Sequence, residues 1–443
     1  MRLSIEKVQM FSYFIIISLL GSLFLSLPFS YKSGIPAPYI DAVFTSVSAV
    51  CVTGLSTLNM DIYTTAGFIV IMLLIEFGGL GIISFVALYM AVPKKRVSLA
   101  NRSVIRDFFT DDVETEPRKI LKSIIIFTLL IELTCALVLY FAFRWEGSSQ
   151  PVLDALFHSV SAFCNAGFST YNDSLVGFRS NSVICITVMF LIVSGGIGFI
   201  VLTDIVNSLI LKKKKMSFHA RVVLIVTFVL IVFSALLFFL LEYNNAMAGF
   251  PLSERLVASF FQSITPRTAG FEVVSQKLYT PLTKLITAIL MFIGGSPGSI
   301  AGGVKTTTFF IVVIYALRGN TERNGLNVSN RNIDTSVIEK AFSIVAKSML
   351  IVLLSLGLLL CTEAKALASN SCTIFDLLFE VLSAFGTVGL SLGVTGNLTL
   401  LGKVIIICTM YIGRTGIFAM ALGFNRNEKE RFFEYPSANI MVG

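Results

Sequence analysis

Residues 41–56 read DAVFTSVSAVCVTGLS, and the last six of them have counterparts at CNAGFS (164–169), PRTAGF (266–271) and GTVGLS (386–391). The central glycines, Gly54, Gly167, Gly270 and Gly389, lie 113, 103 and 119 residues apart, a period near 110. A backbone that strips water from a cation needs several carbonyl oxygens converging on one point, and glycine allows the dihedrals this requires. Four copies in one chain supply the ring that a tetrameric channel draws from four subunits. The candidate filter set is Val52, Thr53, Gly54 and Leu55; Asn165, Ala166, Gly167 and Phe168; Thr268, Ala269, Gly270 and Phe271; and Thr387, Val388, Gly389 and Leu390.

Working outward, the sequence is 55% apolar and 14% charged, with a mean hydropathy of +0.85, the composition of an integral membrane protein. Apolar runs long enough to span recur near residues 11–29, 65–92, 118–143, 181–211, 221–241, 282–317, 337–361 and 400–424. The first continues too long for a cleaved leader and lacks a small-x-small cleavage site, so it is read as a span. The runs form four pairs, each bracketing one glycine loop. From Asp41 to Gly54, Asp154 to Gly167 and Asp376 to Gly389 the separation is 13 residues each time. A helix of that length reaches about 20 Å against a core of about 30 Å, so it must dip in and turn back. The three aspartates sit where a first-turn carboxylate complements the positive helix end, leaving the negative end aimed at the loop. Repeat three departs, with Glu254 and Arg255 in this region and Pro266-Arg267 lengthening its loop.

A second glycine feature sits in the second span of each pair, at Gly78-Gly79, Gly195-Gly196, Gly294-Gly295 and Gly413, offset 24, 28, 24 and 24 residues from the filter glycines. In the first two repeats close helix packing explains these glycines. The third copy, running from Gly294 and Gly295 through Ser296, Pro297, Gly298 and Ser299 to Gly302 and Gly303, cannot remain helical. With Lys305 following, it reads as a mobile loop beneath the filter, a gate. A phosphate-binding P-loop is one residue away in pattern, but Val304 breaks the spacing and no strand-rich domain surrounds it. Arg414, a permanent cation in the final span, is expected to donate to carbonyls of the 294–303 loop. Glu76, Glu132, Asp204 and Glu380 form no ordered proton relay in sequence.

The N-terminus and the connections at 93–119, 212–221, 318–340 and 425–443 hold 2, 7, 5, 4 and 3 Lys or Arg, which places them in the cytoplasm. The net charge of +8 is therefore topological and does not argue for nucleic acid. Of seven cysteines, five fall in spans or filter loops, while Cys361 and Cys372 flank an outer loop and could pair. His158 and His219 have no companion ligands or nucleophile, so hydrolase chemistry and a metal other than the filter ion are not expected.

The helix–loop–helix plan, the loops VTGLS, NAGFS, TPRTAGF and GTVGLS, and the broken span IGGSPGSIAGGVKTTT resemble the Trk/Ktr/HKT superfamily of potassium transporters. The short length and IGRTGIF are similar to its bacterial Ktr membrane subunits. The resemblance implies potassium uptake with no enzyme chemistry and no cofactor in the chain. It also implies a homodimer with one pore per subunit, and a cytosolic RCK-type nucleotide-binding ring through which ATP and ADP act. It assigns the filter to the four glycines and the gate to residues 294–303 and Arg414. Plant relatives that prefer sodium carry serine at the first filter glycine, so Gly54 argues for potassium; sodium-coupled symport stays open. A membrane-embedded enzyme or receptor would need a cavity-facing cluster of His, Asp or Cys. The expected fold is all-α in the cell membrane, with both termini cytoplasmic. Four repeats are placed at 1–92, 93–211, 212–317 and 318–443, giving eight spans and four re-entrant helices around one pore.

Overall fold

The computed structural model describes residues 5–34, 37–91, 117–212, 215–318, 325–329 and 331–416, so the basic segments at 93–116 and 425–443 lie outside it. Each repeat runs first span, short helix, second span. In repeat one these are Ile5–Leu25, Tyr39–Val50 and Thr65–Ala91. Repeat two has Pro117–Trp145, Pro151–Phe163, and Ser182–Ile197 followed by Phe199–Ile205. Repeat three has Phe218–Glu242, Leu252–Ile264, and a second span split into Pro281–Phe292 and Thr306–Arg318. Repeat four has Thr335–Thr362, Ile374–Gly386 and Leu400–Tyr411, the last running into a π-turn at Ile412–Gly416. Each short helix has 12 or 13 residues, about 20 Å, too short to cross a bilayer core.

Apolar surface explains where such a chain can live. Leu129, Leu130, Leu133, Leu137 and Phe141 on one span are all exposed, a cost in water and a gain in lipid. Lys122–Trp145, Phe218–Glu242 and Thr335–Thr362 are each long and apolar enough to cross alone. The fold is an all-α integral membrane protein. A two-stranded hairpin, Leu326–Val328 with Arg331–Ile333, lies in the 318–340 connection.

The repeats close into a ring. The short helices of repeats two, three and four pack on the second spans of repeats one, two and three, and the short helix of repeat one packs on Leu400–Tyr411 of repeat four. Within repeats two to four, one device ties the spans together. Glu146 accepts from Asn181 (2.8 Å), Glu242 from Thr280 (2.7 Å) and Glu363 from Thr399 (2.6 Å). Each acceptor ends a first span, and each donor is the N-cap of the second. The same contact therefore fixes a loop end and a helix start.

The structure corrects two expectations. Gly195-Gly196-x-Gly198 is more than a packing surface, because the second span of repeat two bends by 104° at this point. Gly198 has φ +96, and a Cβ there would meet the Pro297 carbonyl and the Ser296 hydroxyl at 2.9 Å. The break thus makes room for the loop of repeat three. Cys361 and Cys372 are both free thiols, one exposed near the end of a span and the other buried ahead of a short helix, so this pair does not form.

Candidate functional site: a fourfold glycine ring and the loop against it

Each short helix delivers its negative end to a loop with the same backbone signature. Gly54, Gly167, Gly270 and Gly389 have φ of +89, +71, +79 and +96. Two residues earlier, Val52, Asn165, Thr268 and Thr387 also have positive φ, at 56, 57, 73 and 50. Three of those four are β-branched, a class for which this region is strongly disfavoured. Strain repeated at one register in four loops marks a site the surroundings hold in place.

The loops interlock in one direction. A Cβ built on Gly54 would overlap the Ala166 carbonyl oxygen; on Gly167, that of Ala269; on Gly270, that of Val388; and on Gly389, that of Thr53. Each glycine therefore lies against the carbonyl preceding the next repeat's glycine, and the fourth returns to the first. All four glycines line one cavity of about 380 Å³, shared with Ser56, Ser169, Glu272 and Ser391. Val52, Thr53, Leu55, Asn165, Ala166, Phe168, Thr268, Ala269, Phe271, Thr387, Val388 and Leu390 are all buried.

Hydroxyls in or beside the last turn of the short helices brace the loops, which sequence reading missed. Ser161 Oγ donates to the Phe168 carbonyl (2.7 Å), Thr265 Oγ1 to that of Phe271 (2.6 Å), and Ser383 Oγ accepts from Gly389 N (3.0 Å). Their signal was a Ser or Thr five or six residues before each glycine, Ser48 included. The Asn165 amide bridges loops, its oxygen accepting from Thr268 Oγ1 (3.2 Å) and its nitrogen donating to Ile192 O and Ala162 O.

The acids at the helix starts share a position but not a partner. Asp41 pairs with Lys403 (2.5 Å); Asp154 accepts from Ser148, Thr170 and Tyr171; Asp376 forms a capping box with Thr373. In repeat three Glu254 pairs with Arg179 at 3.2 Å. His158 is consumed structurally, between the Asp154 carbonyl (2.7 Å) and Ser169 Oγ (2.9 Å). Glu380 accepts from Ser391 and Thr395, and Asp204 from Ser217 N.

The 294–303 segment is non-helical, and its polar backbone is satisfied from three repeats. Gly294 N donates to Val304 O (2.8 Å) and Val304 N to Phe292 O (3.1 Å), closing the neck. Ser296 N donates to Gly196 O (3.0 Å), Ser296 Oγ to Ile197 O, and Phe199 N to Gly298 O (3.2 Å). The bonds freed by the break at Gly198 are thus taken up by the loop itself. Lys305 Nζ donates to Ala301 O (2.6 Å). Gly302 backs onto the Thr387 side chain at the start of the fourth glycine loop. Gly295, Pro297, Ser299 and Gly303 complete the segment. Arg414 is 3% exposed and donates to the carbonyls of Ile300, Gly78 (2.7 Å) and Gly79 (3.2 Å). One guanidinium therefore joins repeats one, three and four.

Residues 2–435 match the family model described as "TrkH: Cation transport protein". The chain belongs to this family. It is therefore a cation transporter and not an enzyme. The potassium/sodium uptake protein NtpJ of Enterococcus hirae is 37% identical over 100% of this chain and 98% of its own length. The Ktr system potassium uptake protein B of Bacillus subtilis is 34% identical, over 100% of this chain and 97% of its own. The crystal structure of the potassium transporter TrkH from Vibrio parahaemolyticus superposes with a TM-score of 0.76 at 19% identity, covering 96% of this chain and 86% of that one.

Proposed function

We propose that this protein takes up potassium through the ring of four glycine loops, with dehydrated ions coordinated by loop carbonyls. The observation that carries the reading is the closed cycle of glycine-to-carbonyl contacts from Gly54 through Gly167, Gly270 and Gly389 back to Thr53. Positive φ at two positions per loop turns successive carbonyls from the usual extended pattern, and the short-helix ends add negative potential. The names carried by the relatives support potassium as the ion. The segment from Gly294 to Gly303 is read as the gate, with Arg414 and Lys305 holding it against the fourth filter loop.

Regulation enters from outside the chain. A cytosolic RCK-type ring that binds ATP or ADP engages the cytoplasmic connections, and its two states favour different positions of the gate. The chain works as a homodimer, each subunit with its own pore, in the cell membrane with both termini in the cytoplasm. Sodium coupling is a second reading, favoured by the potassium/sodium name of the Enterococcus hirae relative.

Growth on low potassium of a cell lacking its own uptake systems, with and without this gene, tests the function. Rescue is expected, and no rescue by chain inserted in the membrane together with its ring contradicts it. Reconstituted alone, the chain should conduct regardless of nucleotide; adding the ring should make flux nucleotide-dependent.

A further inference from the structure

Three side chains from different elements meet behind the second filter loop. Glu76 lies in the second span of repeat one, Glu132 in the first span of repeat two, and Cys164 caps the short helix of repeat two. One carboxylate oxygen of each glutamate and the Cys164 sulfur lie within 4.8 Å of one another. Cys164 Sγ donates to Glu76 Oε2 at 3.5 Å, and Ser159 Oγ holds the Glu132 backbone carbonyl at 2.7 Å. Glu132 is 5% exposed, and its Oε1 has no hydrogen-bond partner. A buried carboxylate oxygen left bare beside a second carboxylate and a thiol is costly unless something positive sits between them.

We propose that Glu76, Glu132 and Cys164 form an intramembrane site for a thiophilic divalent cation of the zinc class. Two carboxylates and a thiolate match the borderline-soft preference of zinc and cadmium, whereas sodium, potassium and magnesium favour all-oxygen shells. The 3.5 Å between Cys164 Sγ and Glu76 Oε2 is already the separation of two ligands on one tetrahedral zinc ion, and the Glu132 oxygen lies within 4.8 Å of both. The thiol proton leaves as the metal–sulfur bond forms, together with any proton held by the carboxylates. Arg414, which donates to Gly78 O two residues from Glu76, supplies one positive charge nearby, one fewer than two ionised carboxylates. Glu76 is half-buried, which leaves a side open for entry. Because Cys164 directly precedes Asn165, an occupied site ties the start of the second filter loop to two spans. That effect on flux rests on the filter reading; binding itself does not.

The test uses the full chain with the exposed Cys361 and Cys408 changed to serine. It is titrated in detergent with Cd²⁺ while the ultraviolet thiolate-to-cadmium charge-transfer band is followed. One equivalent per chain is expected. Cys164→Ala should lose the band, and Glu132→Gln should keep it with at least about tenfold weaker binding, the loss of one charged ligand. No binding by the parent, or unchanged binding in Glu132→Gln, overturns the site; the latter variant keeps the side-chain shape, so the site stays testable even if Cys164→Ala misfolds. Two carboxylates merely sharing a proton would give that negative result. In vesicles, Cd²⁺ should slow rubidium flux in the parent and lose potency in Glu76→Gln. Stoichiometric binding with unaltered flux would keep the site and overturn its tie to the filter loop.

Discussion

The ammonium of Lys403 lies 2.5 Å from Asp41 Oδ1, joining the last repeat to the first across 362 residues of chain. Both groups are largely withdrawn from solvent, at 13% and 7% side-chain exposure. It is the electrostatic clasp of a ring whose other junctions are made by neighbouring segments. The same aspartate stands in the first turn of its short helix, so the pair also steadies the element that presents Gly54.

Removing one partner of this pair leaves a buried charge alone. Asp41→Asn and Lys403→Met should each destabilise the protein by about 3 kcal/mol, and the double variant should cost less than the two added together. Thermal unfolding in detergent, analysed as a double-mutant cycle, checks this; full additivity would mean that the two side chains do not interact.

Gating has its own pair of variants. On the gate reading, deleting Ser296 to Gly302 removes an obstruction packed against Thr387, and Arg414→Ala frees the Ile300 carbonyl that holds it. Both should raise basal rubidium flux in vesicles. If both variants fold and insert yet conduct less than the parent, the loop is a structural brace and the gate lies elsewhere.

The ring is legible in sequence because it depends on backbone, and backbone need is written as glycine. The spacing of Gly54, Gly167, Gly270 and Gly389, and the glycine excess from Gly294 to Gly303, express conformations other residues cannot adopt. Less legible is anything settled by which side chains meet in space. The three aspartates look equivalent in sequence, yet Asp41 reaches Lys403 of another repeat while Asp154 and Asp376 are satisfied by hydroxyls and backbone of their own repeats. The break at Gly198 reads as packing, since one glycine with positive φ resembles any other until Ser296 and Pro297 occupy the space beside it. Glu76, Glu132 and Cys164 lie on three elements, and no local spacing announces their meeting.

Outside the spans, Glu272 lines the cavity over the glycine ring. Burial pushes its carboxyl up to about 8, against the opposing pull of a hydrogen bond from Gln276 N and the charge of Lys277. Half-buried beside that cavity, it is largely protonated at neutral pH and gains a negative charge next to the glycine ring as pH rises. Flux at low potassium should increase between roughly pH 7 and 9, where a carboxyl with this pKa ionises, and Glu272→Gln should flatten the profile. Because the folded pKa exceeds the unfolded value, this group's contribution to stability is whole below the unfolded pKa and lost as pH climbs toward 8. An unchanged flux profile in Glu272→Gln would remove the residue from the conduction path.

On the filter reading, selectivity depends on all four loops. Serine at Gly54, Gly167, Gly270 or Gly389 must adopt a left-handed backbone and push its Cβ into the next repeat's carbonyl. Distorting one quarter of the ring so that the difference between potassium and sodium binding falls by about 1.4 kcal/mol corresponds to a tenfold loss of discrimination. The deciding measurement is rubidium uptake into vesicles containing the reconstituted chain, competed by sodium, for the parent and for each of the four single serine variants. The parent should resist sodium, and every variant should admit it markedly better, whichever repeat is changed. Sodium competition identical to the parent's in all four folded variants would contradict a filter built from this ring.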